Sequence, residues 1–328
     1  DTAAVARNFF EEDFDLFSPR VDWRGDGSGI VEMNFPLYPY FVSLGYEVFG
    51  EVREWFGRFL SAFFSVTTSI LIFFLALNIG FSSSVGLWAM SFFLVTPLSV
   101  FFGRAFLPES LMLLLSVSSI LTFKYWTESE QIVLYLCAII LASLGYLVKI
   151  PTLYLGFPLV AIALSKWGWK FVYERLLWVY LIVSVLPSVI WYLHASDLFT
   201  DTGLTFGIWN RFGYDKWDQS VLYNLDFYRH MTWRFIHNIF TPFGFILLIL
   251  GVHKTGIARS RWALWGWLIG LLLYLFLVPE GNRKLHYYQI PFVPLGCIWA
   301  GVGTVVALDY GCRVCNSKYV KYLGMLVF

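Results

Sequence analysis

The ionisable residues that could do chemistry in this chain sit at the edges of apolar stretches. Asp1 opens a short helical pattern, and Glu32 precedes a Pro- and Tyr-rich turn. Arg104 and Glu109 bracket "GRAFLPE". Lys149 falls in "GYLVKIP", and Glu280, Arg283, Lys284 and His286 crowd "PEGNRKLHYYQIPFVP". His194 and Asp197 lie three apart at the end of another apolar run. Acids beside a basic cluster suit two tasks. A carboxylate can take a proton from an attacking hydroxyl, and Arg or Lys near helix ends can hold a phosphate.

The elements that must position these groups are membrane helices. The 328 residues are 58% hydrophobic and only 14% charged, with 15 Trp, 19 Tyr and 33 Phe, where soluble domains carry about a quarter charged residues. No Lys, Arg, Asp or Glu occurs between Arg58 and Arg104, and that gap splits at "NIGFSSSVG". A span takes roughly 20 apolar residues. Runs near 59–80, 86–103, 108–124, 131–148, 150–166, 176–194, 235–253, 262–279 and 287–308 predict about nine transmembrane helices. None shows the alternation of a membrane β-barrel, whose segments run about ten residues. The fold class is therefore an all-α polytopic membrane protein.

Three regions follow. Residues 1–55 form a first outer loop with amphipathic or interfacial helices, one over "TAAVARNFFEE" and one over "FPLYPYFVSLGYEVFG". Residues 56–310 form the helical domain, including a second outer segment at 195–234. Residues 311–328 are a cytoplasmic tail or the start of a further segment. The chain opens without a methionine and its first 55 residues are polar, so a first membrane helix is expected upstream.

Cytoplasmic loops tend to hold the Lys/Arg excess. Lys124; Lys166, Lys170 and Arg175; Lys254, Arg259 and Arg261; and Arg313, Lys318 and Lys321 fall on one side, against Arg104, Lys149, Arg283 and Lys284 on the other. The first loop is then extracytoplasmic. On its side lie Asp1, Glu32, Arg104, Glu109, Lys149, His194, Asp197, Glu280, Arg283, Lys284 and His286. Ionisable groups at membrane depth usually line a cavity or path. Eleven at one end argue for a shared cavity over an ordinary wet interface, although capping, snorkelling and interfacial anchoring each explain single members.

A net charge of +1 implies no nucleic-acid partner. Cys137, Cys297, Cys312 and Cys315 are too few and scattered for a disulfide framework. Cys312 and Cys315 form a CxxC without a second pair, so ordinary thiols are preferred to a metal or redox site. The Trp, Tyr, Asp and Arg mixture of "IWNRFGYDKWDQSVLYNLDFYRH" suits sugar contacts, and an interface belt has the same composition.

An acid on a first-loop helix followed by "E-x-x-x-PLYP", then "GRAFLPE", "GYLVKIP" and "HYYQIPFVP", resembles the GT-C superfamily. The branch is that of bacterial relatives of protein O-mannosyltransferases and of the lipid A aminoarabinose transferase (glycosyltransferase family 39/83-like). The resemblance implies a GT-C-like helical bundle and a glycosyltransferase in the bacterial plasma membrane, its site facing the periplasm. The donor would be a polyprenyl-phosphate-linked sugar, with membrane lipids around it and a protein, lipid or glycan as acceptor. Asp1 matches the family's first-loop aspartate, a catalytic base or acceptor-positioning acid, with Thr2 where many relatives have a second acid. Glu32 matches the acid before the proline-rich turn. One branch has Lys directly after that acid. Here Met33 and Asn34 stand there, so a phosphate contact is lost or supplied elsewhere.

Arg104, Lys149, Arg283 and Lys284 are the remaining phosphate-binding candidates, joined by Tyr287 of the His-Tyr-Tyr segment. Glu109, His194, Asp197, Glu280 and His286 are expected to line the site. Some relatives bind a divalent metal and others need none, which leaves the metal open. Two rival readings stand beside the transferase. A transporter or flippase of lipid-linked sugars would place polar groups near mid-membrane, where this sequence has almost none. A non-catalytic scaffold gives no reason for acids beside cations.

Overall fold

The computed structural model describes residues 1–208 and 215–315, with side chains through 312. Residues 209–214 and 316–328, including Lys318, Lys321 and most of the expected tail, lie outside the described residues. Among the described residues the chain is helical, and its β pairing consists of two isolated bridges, Arg20 with Ile30 and Glu32 with Thr205.

The first loop carries α1 (Thr2–Glu11) and α2 (Leu37–Phe49), as the sequence predicts, packed on one another. A left-handed Gly50 (φ 70°) ends α2, a position where glycine avoids the Cβ penalty. The strand-like stretch between them is laced by ion pairs of Arg7 with Asp22, Arg24 with Glu12, and Arg20 with Glu12 and Asp13. Three of the loop's arginines are thus structural. A small core of Val5, Phe9, Val21, Val31 and Met33 lies beneath them and packs against Leu204 and Phe206 of the second outer segment.

The bundle follows: α3 (Glu54–Asn78), α4 (Ser83–Val95), α5 (Pro97–Phe102), α6 (Glu109–Ser129), α7 (Ile132–Val148), α8 (Gly156–Trp167), α9 (Arg175–Thr202), α10 (Leu225–Trp233), α11 (Thr241–Thr255), α12 (Trp262–Leu277), α13 (Pro279–Lys284) and α14 (Phe292–Cys315). α3 packs on α4 and α6, α6 on α7, and α7 on α9. α14 joins α4 to α11, and α12 lies on α8. The most buried spans are α6 and α14, and the least buried is α9.

The expected count of nine spans is not confirmed. Six helices among the described residues are long and apolar enough to cross a membrane. A seventh arises if Leu225–Ile239 and Thr241–Thr255, bent by 104°, are one span. The remaining apolar helices, Ser83–Val95 and Ile132–Val148, are shorter, and local chemistry explains why. Proline disfavours the helical region for the residue before it. Thr96, before Pro97, is extended (φ −61°, ψ 128°) and splits the second expected span. Lys149 is also extended (φ −156°, ψ 119°), ending α7 before the 3-10 turn Ile150–Leu155. The late helix also starts later than expected. His286–Gln289 form a separate 3-10 turn, and α14 begins at Phe292.

The bonds of Tyr38 to Gly57, Ser61 to Ala105, Lys149 to Glu109 and Tyr192 to Leu147 gather the starts of α3 and α6, the ends of α5 and α7 and part of α9 beside the first loop, at one end of the bundle. That is the end at which the candidate residues gather.

Candidate active site

At this end a cavity of about 320 Å³ opens between the bundle and the loops above it. One wall is apolar and aromatic: Tyr154 and Phe157 beside Leu273, Tyr274 and Leu277 of α12, with Tyr288 closing it. The polar part comes from Asn34 of the first loop, Glu109 at the first turn of α6, Lys149 at the break after α7, Lys216 of the second outer segment, and Tyr287.

Lys149 is held from two sides. Its ammonium donates to Glu109 Oε1 at 2.5 Å and lies 4.5 Å from the centre of the Tyr287 ring. The extended backbone at Lys149 is fixed by Thr152, whose amide and hydroxyl both donate to the Lys149 carbonyl. Glu109 is 2% exposed. Its helix start explains the position: an acid in the first turn complements the positive end of the helix dipole.

Two strands of loop form the roof. The amide of Phe35 donates to the Leu147 carbonyl, and the Trp191 indole donates to the Met33 carbonyl. The Tyr192 hydroxyl reaches Asn34 Oδ1 and the Leu147 carbonyl. These bonds pin residues 33–35 over the end of α7 and against α9 at Trp191 and Tyr192. Glu32 pairs its backbone with the second segment: its amide donates to the Leu204 carbonyl, and the Phe206 amide donates to its own carbonyl. Its side chain is fully buried, with the Thr205 hydroxyl bonded to Oε2. Lys216 follows along this segment, its ammonium bonded to the Gly207 carbonyl and its own carbonyl taking the Gly281 amide. Burial lowers the Lys216 pKa below the ordinary lysine value. The neighbouring Lys149 charge pushes the same way, and the Glu32 carboxylate opposes both.

Of the residues expected at a shared site, Glu109, Lys149 and Tyr287 meet in this cavity. The others are placed as follows. Glu280 is buried and binds Arg283 through two hydrogen bonds of 2.5 and 2.6 Å, with Lys284 at 3.3 Å. The guanidinium of Arg283 holds the Glu280 carboxyl below the usual carboxylate range. Two expected phosphate ligands are therefore already engaged by a carboxylate. Arg104 is exposed and outside the cavity lining, and Glu109 reaches Lys149 rather than Arg104. His194 bonds the Phe17 carbonyl through Nε2 at 2.8 Å, and Asp197 is exposed.

His286 Nε2 lies 3.3 Å from the Arg234 guanidinium. A guanidinium only donates, so in this contact the imidazole nitrogen is the acceptor. Partial desolvation, then the charges of Arg234 and His230, lower the His286 pKa. Asp1 is exposed at the start of α1, makes no side-chain cap, and is not among the cavity-lining residues.

Sequence reasoning missed Lys216, which lay unremarked inside a segment read only for its composition. It also missed Arg234, which is 4% exposed and donates to the Asn282 carbonyl at 2.8 Å. That bond ties α13 to a π-helical stretch, Arg234–Ile239. Among the described residues no group of three or more His, Cys, Asp or Glu could hold a metal ion.

The cavity thus pairs ammonium groups with an apolar trough at one end of a membrane bundle, and its floor falls in a recognisable segment. Residues 34–192 match the family model of dolichyl-phosphate-mannose-protein mannosyltransferases. The mannosyltransferase match runs from Asn34 through Tyr192 of α9, just under half of the chain. It includes Glu109 and Lys149 but not Asp1, Glu32, Lys216 or Tyr287. It agrees with the GT-C resemblance read from the motifs. A search of curated proteins returned no match. The mannosyltransferase family and the apolar helices together point to an integral membrane glycosyltransferase.

Proposed function

We propose that this chain transfers a sugar from a polyprenyl-phosphate donor to an acceptor hydroxyl, on the extracytoplasmic side of a bacterial plasma membrane. One observation carries the reading: Lys149 and Lys216 line the same cavity as an apolar, aromatic trough. A lipid phosphate needs both halves of that arrangement. Its prenyl chain takes the trough along Phe157, Leu273 and Leu277, and its phosphate takes the ammonium groups and the Tyr287 hydroxyl. Lys216 then supplies the cation that is missing after the turn acid, where Met33 and Asn34 stand in place of the lysine carried by one branch of relatives.

In the reaction the acceptor oxygen attacks the anomeric carbon while the bond from that carbon to the phosphate oxygen breaks, with inversion. Asp1, which lies outside the cavity lining, is assigned the acceptor proton on the family resemblance alone. The lipid leaves as polyprenyl phosphate, its added charge stabilised by Lys149, Lys216 and Tyr287. Preorganised charges aimed at a leaving phosphate are a large catalytic term, and a general base adds typically about 10²–10⁴-fold. Arg104, Arg283 and Lys284 lie on the same end and serve the lipid headgroup or acceptor at the rim. Glu32, fully buried, acts through the segment that carries Lys216.

The test is binding of polyprenyl phosphate by the purified chain in nanodiscs. Lys149→Ala and Lys216→Ala should each weaken it by about tenfold or more, the usual scale of a charge-assisted hydrogen bond. Binding that ignores both substitutions would remove this reading.

A further inference from the structure

A carboxylate oxygen in the cavity wall lacks a partner within the protein. Glu109 is 2% exposed and lines the cavity. Oε1 takes the Lys149 ammonium, while Oε2 is buried and makes no hydrogen bond. An ionised carboxylate accepts about four hydrogen bonds and donates none, and a buried polar atom without a donor is costly. A donor on whatever fills the cavity would satisfy Oε2.

The proposed donor lipid has three parts, and two of them bring no such group. A prenyl chain has no polar hydrogen. A phosphodiester-linked phosphate is an acceptor only, and its charge repels a carboxylate. The sugar carries hydroxyls, which donate. We propose that Glu109 recognises a hydroxyl of the sugar being transferred, through Oε2, while its other oxygen holds Lys149 against Tyr287. This inference rests on the cavity being the donor site and assigns the part of the donor that Glu109 meets. It makes Glu109 a specificity-determining residue. Because Oε1 is committed to Lys149, Oε2 reads one hydroxyl, and a sugar whose hydroxyl points elsewhere leaves it unpaired. Sites built to bond a hydroxyl reject analogues lacking it far more strongly than apolar pockets reject size changes.

The experiment compares bare polyprenyl phosphate with its mannosyl, glucosyl and arabinosyl conjugates, binding to the full chain in nanodiscs. At least one sugar should raise affinity over the bare lipid. Glu109→Gln should then cut the advantage of that conjugate over bare polyprenyl phosphate by about tenfold, read as a ratio so that any effect on the phosphate through Lys149 cancels, as loss of one charge-assisted bond requires. Should the Gln variant not fold, Glu109→Asp carries the same expectation, since it keeps a charge for Lys149 but withdraws the oxygen by one methylene.

Two results overturn the proposal and leave the donor cavity intact: no conjugate binding better than the bare lipid, or the bare lipid and the conjugate weakening together. The latter would make Glu109 only a support for Lys149. Failure of the parental protein to bind any of the lipids would instead remove the donor-cavity reading, and this inference with it.

Discussion

The Lys149 ammonium stands 4.5 Å from the centre of the Tyr287 ring, joining the end of α7 to the turn before α14 across 138 residues of chain. The ring and the hydroxyl of Tyr287 can be separated. A cation over an aromatic face is worth roughly 0.5–2 kcal/mol, and Phe retains it. Tyr287→Phe should keep the thermal stability of the parent yet bind polyprenyl phosphate about tenfold more weakly, having lost a charge-assisted hydrogen bond. Tyr287→Leu should lose that affinity and also melt at lower temperature. Equal affinity for the Phe variant and the parent would take the hydroxyl out of the phosphate site.

Asp1 offers a cleaner separation of chemistry from stability. Its side chain is exposed and makes no cap hydrogen bond on α1. Asp1→Asn should therefore leave the melting curve unchanged while reducing sugar transfer by about 10²–10⁴-fold, the range of general-base catalysis. Donor binding should persist, because the acid acts on the acceptor. Transfer at the parental rate would exclude Asp1 as the base.

Lys216 predicts opposite pH trends for binding and stability. Burial sets its pKa below the ordinary 10.5. As pH rises through the interval between the lowered value and 10.5, the folded chain has lost a proton that the unfolded chain still holds. Stability contributed by this group rises with pH there. Phosphate binding needs the proton, so donor affinity falls over the same interval. Lys216→Arg, which stays charged, should flatten the fall in affinity measured from about pH 7 to pH 10. An unchanged pH profile in that variant would show that Lys216 does not meet the phosphate.

How much of this was legible beforehand depended on range along the chain. Lys149 was visible because it ends a long apolar run just before Ile150 and Pro151, and Glu109 because it opens another. Both signals are local. Lys216 was not visible. Its place in the cavity follows from the pairing of Glu32 with Thr205, 173 residues apart, and no periodicity announces a loop that returns over a bundle.

The engagement of Arg283 and Lys284 by Glu280 was legible in the sequence. They follow Glu280 by three and four residues, the spacing at which helical side chains meet, so the pairing seen in α13 could have been anticipated. Span counting erred at Thr96–Pro97, where a continuous apolar stretch hides a backbone break.

Glycines at the centre of the bundle give the sharpest stability test. Gly251 of α11 and Gly303 of α14 let two backbones touch: a Cβ at Gly251 would meet the Trp299 carbonyl, and one at Gly303 would meet the Leu247 carbonyl. Both obstacles are main-chain atoms, so neither can swing aside as a side chain would. Within a membrane, helices associate by such close packing rather than by a hydrophobic drive. Overpacking costs typically about 1–3 kcal/mol even where side chains can yield. Gly251→Ala and Gly303→Ala should each lower the melting temperature in detergent by several degrees, and together no more than additively, because they open the same seam. Gly156→Ala is the control. It starts α8 with no heavy atom within 4 Å of the added methyl, and alanine favours the helix, so the melting temperature should hold or rise. A Gly251→Ala protein as stable as Gly156→Ala would mean that α11 and α14 do not meet along this face.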